Sequence, residues 1–156
     1  VGKFHENTLT CNGFSKSYAM TGWRLGSAIG PKKIIDEMIK LQQYTYICAP
    51  SFAQIAGVKA LDVDISMYIE DYKKKRDFVF DGLKDRYNLI KPEGAFYLFP
   101  QVPTGTDEEF ATRAIDKDLL IIPGSVFSEK NSHFRLSYAA PIETLERGID
   151  VLNSMV

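Results

Sequence analysis

Apolar residues recur at three- and four-residue steps through Ile65, Ile69, Tyr72, Val79, Leu83 and Tyr87, with charged residues between them. That period is the mark of a one-sided helix, here over 65–87. About 22 residues at 1.5 Å each span about 33 Å, enough to bridge two domains. Upstream, Pro31 suits a first helical turn, and Ile34, Ile35, Met38, Ile39 and Leu41 supply an apolar stripe behind it. "ICAPS" interrupts, with Pro50 breaking the pattern, and an alanine-rich helix is expected from Phe52 to about Leu61.

The remaining pattern is that of strands and turns. "TLTCNGF" (Thr8–Phe14) and "RLGSAIG" (Arg24–Gly30) read as buried strands bounded by glycines, an antiparallel pair joined by one loop. "GAFYLFP" reads as a strand ended by Pro100, and Pro103-Thr104-Gly105 as a turn. Thr106 and Glu109 have capping-box spacing for a helix over 107–117. "LLIIPG" is a buried strand stopped by Pro123-Gly124. "HFRLSYA" alternates, placing Phe134, Leu136 and Tyr138 on one face and Arg135 and Ser137 on the other. A last helix starts at Pro141, with Leu145, Ile149 and Leu152 at helical steps.

The expected class is α/β, with an α+β unit in the second half. A two-stranded sheet is not stable alone. Residues 1–64 therefore read as the incomplete end of a larger domain, and residues 65–156 as a small domain. Val1 in place of Met adds to the expectation of a portion of a longer protein.

Composition narrows the function classes. The net charge is −1 and the pI about 6.2, so no global basic field suggests nucleic acid. Lys73-Lys74-Lys75-Arg76 is the one dense basic run, and Asp71 and Asp77 flank it, which reads as the solvated face of a helix. Cys11 and Cys48 show no CxxC spacing, and His5 and His133 have no ligand at metal spacing. That points to reduced thiols and no metal site. No apolar run has membrane length.

Chemistry concentrates in "NGFSKSYAMTGWRLG", where Lys16 and Arg24 stand among small and apolar neighbours. Burial and a nearby cation both favour a neutral lysine amine, the form that condenses with an aldehyde. Arg24 could supply that cation and a fork for phosphate oxygens. Two surface cations on a hairpin would read the same by spacing. Arg135 offers a two-bond grip for a carboxylate, or equally a surface pair with a glutamate.

"GFSKSYAMTGWRLG" resembles, position by position, the lysine-attachment signature of class I aminotransferases, pyridoxal-phosphate enzymes of the aspartate aminotransferase type. "PEGAFYLFP", "IIPGSVF" and "FRLSYA" resemble later landmarks of that family, in its order. The resemblance covers essentially the whole chain. It implies the C-terminal part of a fold type I transferase: the end of the large-domain sheet, a long interdomain helix and a small α+β domain. It implies that Lys16 carries pyridoxal 5′-phosphate as a Schiff base and acts as the base at the substrate Cα. Arg24 would bind the cofactor phosphate, and Arg135 the substrate α-carboxylate. Relatives with a serine three positions before the lysine use it on the phosphate. Gly13 stands there in this chain, leaving Ser15 and Asn12 as substitutes.

Tyr18, Trp23 and Phe127 read as packing residues first and substrate contacts second. Tyr44–Pro50 resembles a segment that approaches the partner subunit's site in family dimers. The implied whole is a cytoplasmic homodimer moving an amino group between an amino acid, aspartate or aromatic in type, and a 2-oxo acid. The groups that keep the pyridine nitrogen protonated and stack on its ring would come from upstream, so the chain alone is expected to be inactive. Three alternatives stay open, one of them structural: a dimerising half-enzyme with no role of its own. The others are a lyase, decarboxylase or synthase of the same fold, and an aminotransferase-like effector domain of a transcription regulator.

Overall fold

A computed structural model of the chain describes residues 5–156. By contact density the chain divides into two compact units, Val1–Ile65 and Ser66–Val156.

In the first unit, β1 (Thr10–Gly13) and β2 (Gly26–Ile29) pair antiparallel, with Cys11 opposite Ala28 and Asn12 opposite Ser27. Two helices follow, α1 (Lys32–Thr45) and α2 (Ser51–Ala60). Pro31 and Pro50 occupy their N-cap positions, so Pro50 starts a helix as well as ending the preceding segment. Gly57 allows α2 to approach the strands, because a Cβ there would lie 2.4 Å from Leu25 Cδ2. The expectation of buried strands fails: in β1 and β2 only Ala28 is even half-buried. The α1 stripe fails with it, since Ile34, Met38, Ile39 and Leu41 are all exposed. Two strands and two helices provide few layers, and the described residues put nothing over that face. Met20 and Ala53 are the buried hydrophobic residues of this unit.

The second unit has a real core. Its helices are α3 (Ser66–Leu83), α4 (Asp107–Ile115) and α5 (Ile142–Asn153). Its strands are β3 (Tyr97–Leu98), β4 (Ile122–Pro123) and β5 (Phe134–Ser137), in the antiparallel order β3-β5-β4. Phe134, Leu136 and Tyr138 point inward, as the alternation requires, and meet Leu145, Ile149 and Leu152 of α5 together with Val79 and Leu83 of α3. Tyr87 lies edge-on to Phe110 and Phe134 and donates its hydroxyl to the Leu152 carbonyl at 2.6 Å. Burial pushes that phenol up to about 12.

Several boundaries differ from the sequence reading. The α3 helix has 18 residues and ends at Leu83. Only its C-terminal half is packed: Val79 and Leu83 are buried, whereas Ile69 and Tyr72 are exposed. The α4 helix stops at Ile115 because Asp118 takes φ 59°. Leu119 N–H then bonds back to Ala114 and Asp118 N–H to Ile115, a Schellman closure on a non-glycine residue. Pro100 does not end the β3 ladder. Its carbonyl accepts from Phe134 N–H at 3.0 Å, and Gln101 bridges His133 beyond it. A proline lacks a donor but keeps its acceptor.

The basic run is only partly a solvated face. Lys73 pairs with Glu70 in water, but the side chains of Lys75 and Arg76 keep just 19% exposure. Arg76 donates to Asp77 at 2.8 Å and to the Pro92 carbonyl at 3.3 Å, tying α3 to the segment ahead of β3.

Candidate functional site

Lys16 lies in a turn that leaves β1 and returns through Arg24 to β2. Phe14 N–H bonds to the Leu25 carbonyl at 3.2 Å, which closes the base of this excursion. Within it Tyr18 N–H and Met20 N–H both point to the Phe14 carbonyl, at 3.3 Å each, and Ala19 takes φ 52°. A 3-10 turn, Thr21–Trp23, follows, and Arg24 ends it in the left-handed region at φ 52°. Buried Met20 anchors the loop.

The loop holds Lys16 and Arg24 exposed and Ser15 half-buried. The burial invoked for a neutral Lys16 amine is therefore not provided by the described residues. One guanidinium nitrogen of Arg24 donates to the Thr21 carbonyl at 3.3 Å. Gly13 has open space where a side chain would stand, so nothing there replaces a serine hydroxyl. Tyr18 packs against Phe14 at 5.4 Å and Trp23 against Phe52 at 6.0 Å, in keeping with packing roles. A hollow of about 450 Å³ in this unit is lined by Phe14, Leu25, Gln42, Cys48 and Gln54 among others, but not by Ser15, Lys16 or Arg24.

Arg135 is in the second unit. It projects from β5 on the face opposite the core and is half-buried. Its guanidinium carbon lies 4.5 Å from the Tyr97 ring centroid and 4.3 Å from that of Phe127. Among the described residues no carboxylate comes within ion-pair distance of it, which removes the surface-pair reading. A guanidinium in contact with aromatic rings retains N–H donors that the rings do not satisfy.

Two residues here escaped the sequence reading. Tyr97 pairs with Ser137 in the ladder, so it sits on the Arg135 face as a diagonal neighbour. The alternation of "AFYLF" places it opposite Leu98, but only the register points it at Arg135. Asp107 is the other. Its side chain is 0% exposed, and it accepts from Ser125 N–H at 2.6 Å and Glu108 N–H at 3.1 Å. Burial alone would raise its pKa, yet the backbone donors outweigh that and hold it below the usual carboxylate range. An aspartate in a first helical turn normally signals exposure, so no pattern marked it.

Among the described residues no cluster of His, Cys, Asp and Glu could hold a metal ion, and no helix is long and apolar enough to cross a membrane.

The mixed α/β architecture and the lysine loop together define a part of a fold type I transferase, and the comparisons agree. Residues 3–152 match the family described as aminotransferase class I and II, and the chain belongs to that family. It is 42% identical to an aspartate aminotransferase of Thermotoga maritima, over 96% of this chain and 40% of that protein. A probable aspartate aminotransferase of Methanocaldococcus jannaschii is 36% identical, over 98% of this chain and 44% of the relative. Among solved structures, the Thermotoga maritima aspartate aminotransferase superposes with a TM-score of 0.88 at 39% identity, covering 94% of this chain and 39% of that one. An aromatic aminotransferase of Pyrococcus horikoshii gives 0.87 at 34% identity, covering 95% and 42%. The chain thus spans about two fifths of the relatives' length.

Proposed function

We propose that these residues serve a pyridoxal-phosphate-dependent aminotransferase, which moves an amino group between an amino acid of the aspartate or aromatic type and a 2-oxo acid. The observation that carries this reading is the closed β1–β2 excursion, which presents an amine and a guanidinium on one loop. A phosphate-bearing aldehyde calls for that donor set: an exposed amine, a cation with N–H donors beyond those it already uses, and a neighbouring hydroxyl. Lys16, Arg24 and Ser15 fit it.

Lys16 would hold the cofactor through Nζ and, once released, take the proton from the substrate Cα. Arg24 would neutralise the phosphate, with Ser15 adding a hydroxyl donor. When bound, pyridoxal phosphate supplies an electron sink for that proton removal. Arg135 would grip a carboxylate by two parallel N–H bonds.

The same reading makes the working protein a cytoplasmic homodimer. Exposed Tyr44, Tyr46 and Ile47 support the dimer, as does the left-handed φ of 64° at Ile47, a strained choice for a β-branched residue. The free, exposed thiols of Cys11 and Cys48 support the compartment. Because the chain spans about two fifths of its relatives, the 156-residue chain alone is expected to show no amino-group turnover.

Reductive trapping tests the reading. The chain is mixed with substoichiometric pyridoxal phosphate, reduced with borohydride and mapped by mass spectrometry. The pyridoxyl group should fall on Lys16 ahead of the other exposed lysines, and Arg24→Ala should lower that preference. Labelling spread evenly over the lysines would sink it.

A further inference from the structure

We infer that Tyr97 and Phe127 are positioning residues for the carboxylate site: an aromatic clamp that fixes the Arg135 guanidinium so its N–H edge meets a planar anion. The inference rests on the carboxylate-binding reading of Arg135 and goes beyond it in naming what makes that arginine competent.

An unrestrained arginine carries a large rotamer entropy, which a ligand must remove before two parallel bonds can form. Here the rings do that beforehand. Their centroids lie 4.5 and 4.3 Å from Arg135 Cζ. The guanidinium thus lies over both rings. Contact with two rings restricts the guanidinium and leaves N–H donors for an anion.

The support behind each ring is specific. Tyr97 is set by the β3–β5 register, which makes it a diagonal neighbour of Arg135, and the next outward residue repeats the device: Phe99 stacks on His133 at 5.3 Å and 6°. Ahead of Tyr97 the chain turns at Ala95, φ 63°, whose carbonyl accepts the Tyr138 hydroxyl at 2.9 Å. Phe127 follows the 3-10 turn Gly124–Val126 and bonds to the Gly124 carbonyl at 2.8 Å. That turn lies so close to β5 that a Cβ at Gly124 would stand 2.5 Å from the His133 carbonyl. Buried Asp107 also holds it, through Ser125 N–H.

Binding of 2-oxoglutarate to the 156-residue chain, followed with the Arg135 Cδ proton resonances, tests the clamp. Ring currents should place those protons upfield of the ordinary arginine position. Tyr97→Leu and Phe127→Leu should each move them partway back and weaken binding by roughly 3- to 30-fold. Tyr97→Phe, which keeps the ring, should restore both. Pyridoxyl labelling of Lys16 should be the same in all these variants. Ordinary Cδ shifts in the unmutated chain, or Leu variants that bind within about twofold of it, overturn the clamp. If Arg135→Ala abolishes binding while the Leu variants do not, the clamp alone is wrong. If the unmutated chain does not bind 2-oxoglutarate, or Arg135→Ala binds as well as it does, the carboxylate role of Arg135 fails and the clamp with it.

Discussion

Asp107 shows how a single buried charge can be tolerated when the backbone supplies its solvation. Two N–H donors replace water around the carboxylate, and its depressed pKa records that they stabilise the ionised form. Replacing it with Ala leaves the Ser125 N–H without its acceptor. A loss of about 1–3 kcal/mol is expected by urea denaturation. Asp77 behaves alike for another reason: hydrogen bonds from Arg76 first and Lys91 second hold it down to about 2. Groups with a folded pKa below the unfolded value contribute fully above the unfolded value and lose that contribution as pH falls through the folded one. Stability should therefore hold to about pH 4 and decline toward pH 2, a window that thermal melts across that range would check. The decline should be smaller in Asp77→Asn. An unchanged acid limb in that variant would remove Asp77 from the account.

At the level of elements, α4 is the best specified. Its N-terminus carries a complete capping box, with Thr106 Oγ accepting from Glu109 N–H and Glu109 Oε2 from Thr106 N–H. Its C-terminus carries the Schellman closure at Asp118. These ends predict opposite effects. Thr106→Ala should cost about 1 kcal/mol, while Asp118→Gly should stabilise by up to about 1 kcal/mol by relieving the left-handed conformation. Chemical denaturation of the two variants measures both signs. The box was legible because its spacing is local. The Schellman closure was not, because Asp, unlike Gly, gives no sign that it will adopt a positive φ. The α1 stripe misled for a different reason. An apolar face states that something should cover a helix, never which residues will.

For the whole chain, stability should divide unevenly. The fifteen buried hydrophobic residues that form the contiguous core, from Val79 to Leu152, all belong to Ser66–Val156. Amide exchange should therefore be slow in β5, α5 and the C-terminal half of α3, and faster by about 100-fold or more in β1, β2 and α1. Equal protection in both units would refute that division. The sequence by itself determined the order of the elements, the inward face of β5, the α4 box and, through one signature, the family and the lysine to examine. Those are local patterns, set by period, capping chemistry and motif spacing. Tertiary structure alone decided that Asp107 is buried and that Tyr97 and Phe127 lie against Arg135. Each depends on register and on close approach between segments far apart in the chain, and residue order does not encode those contacts one position at a time.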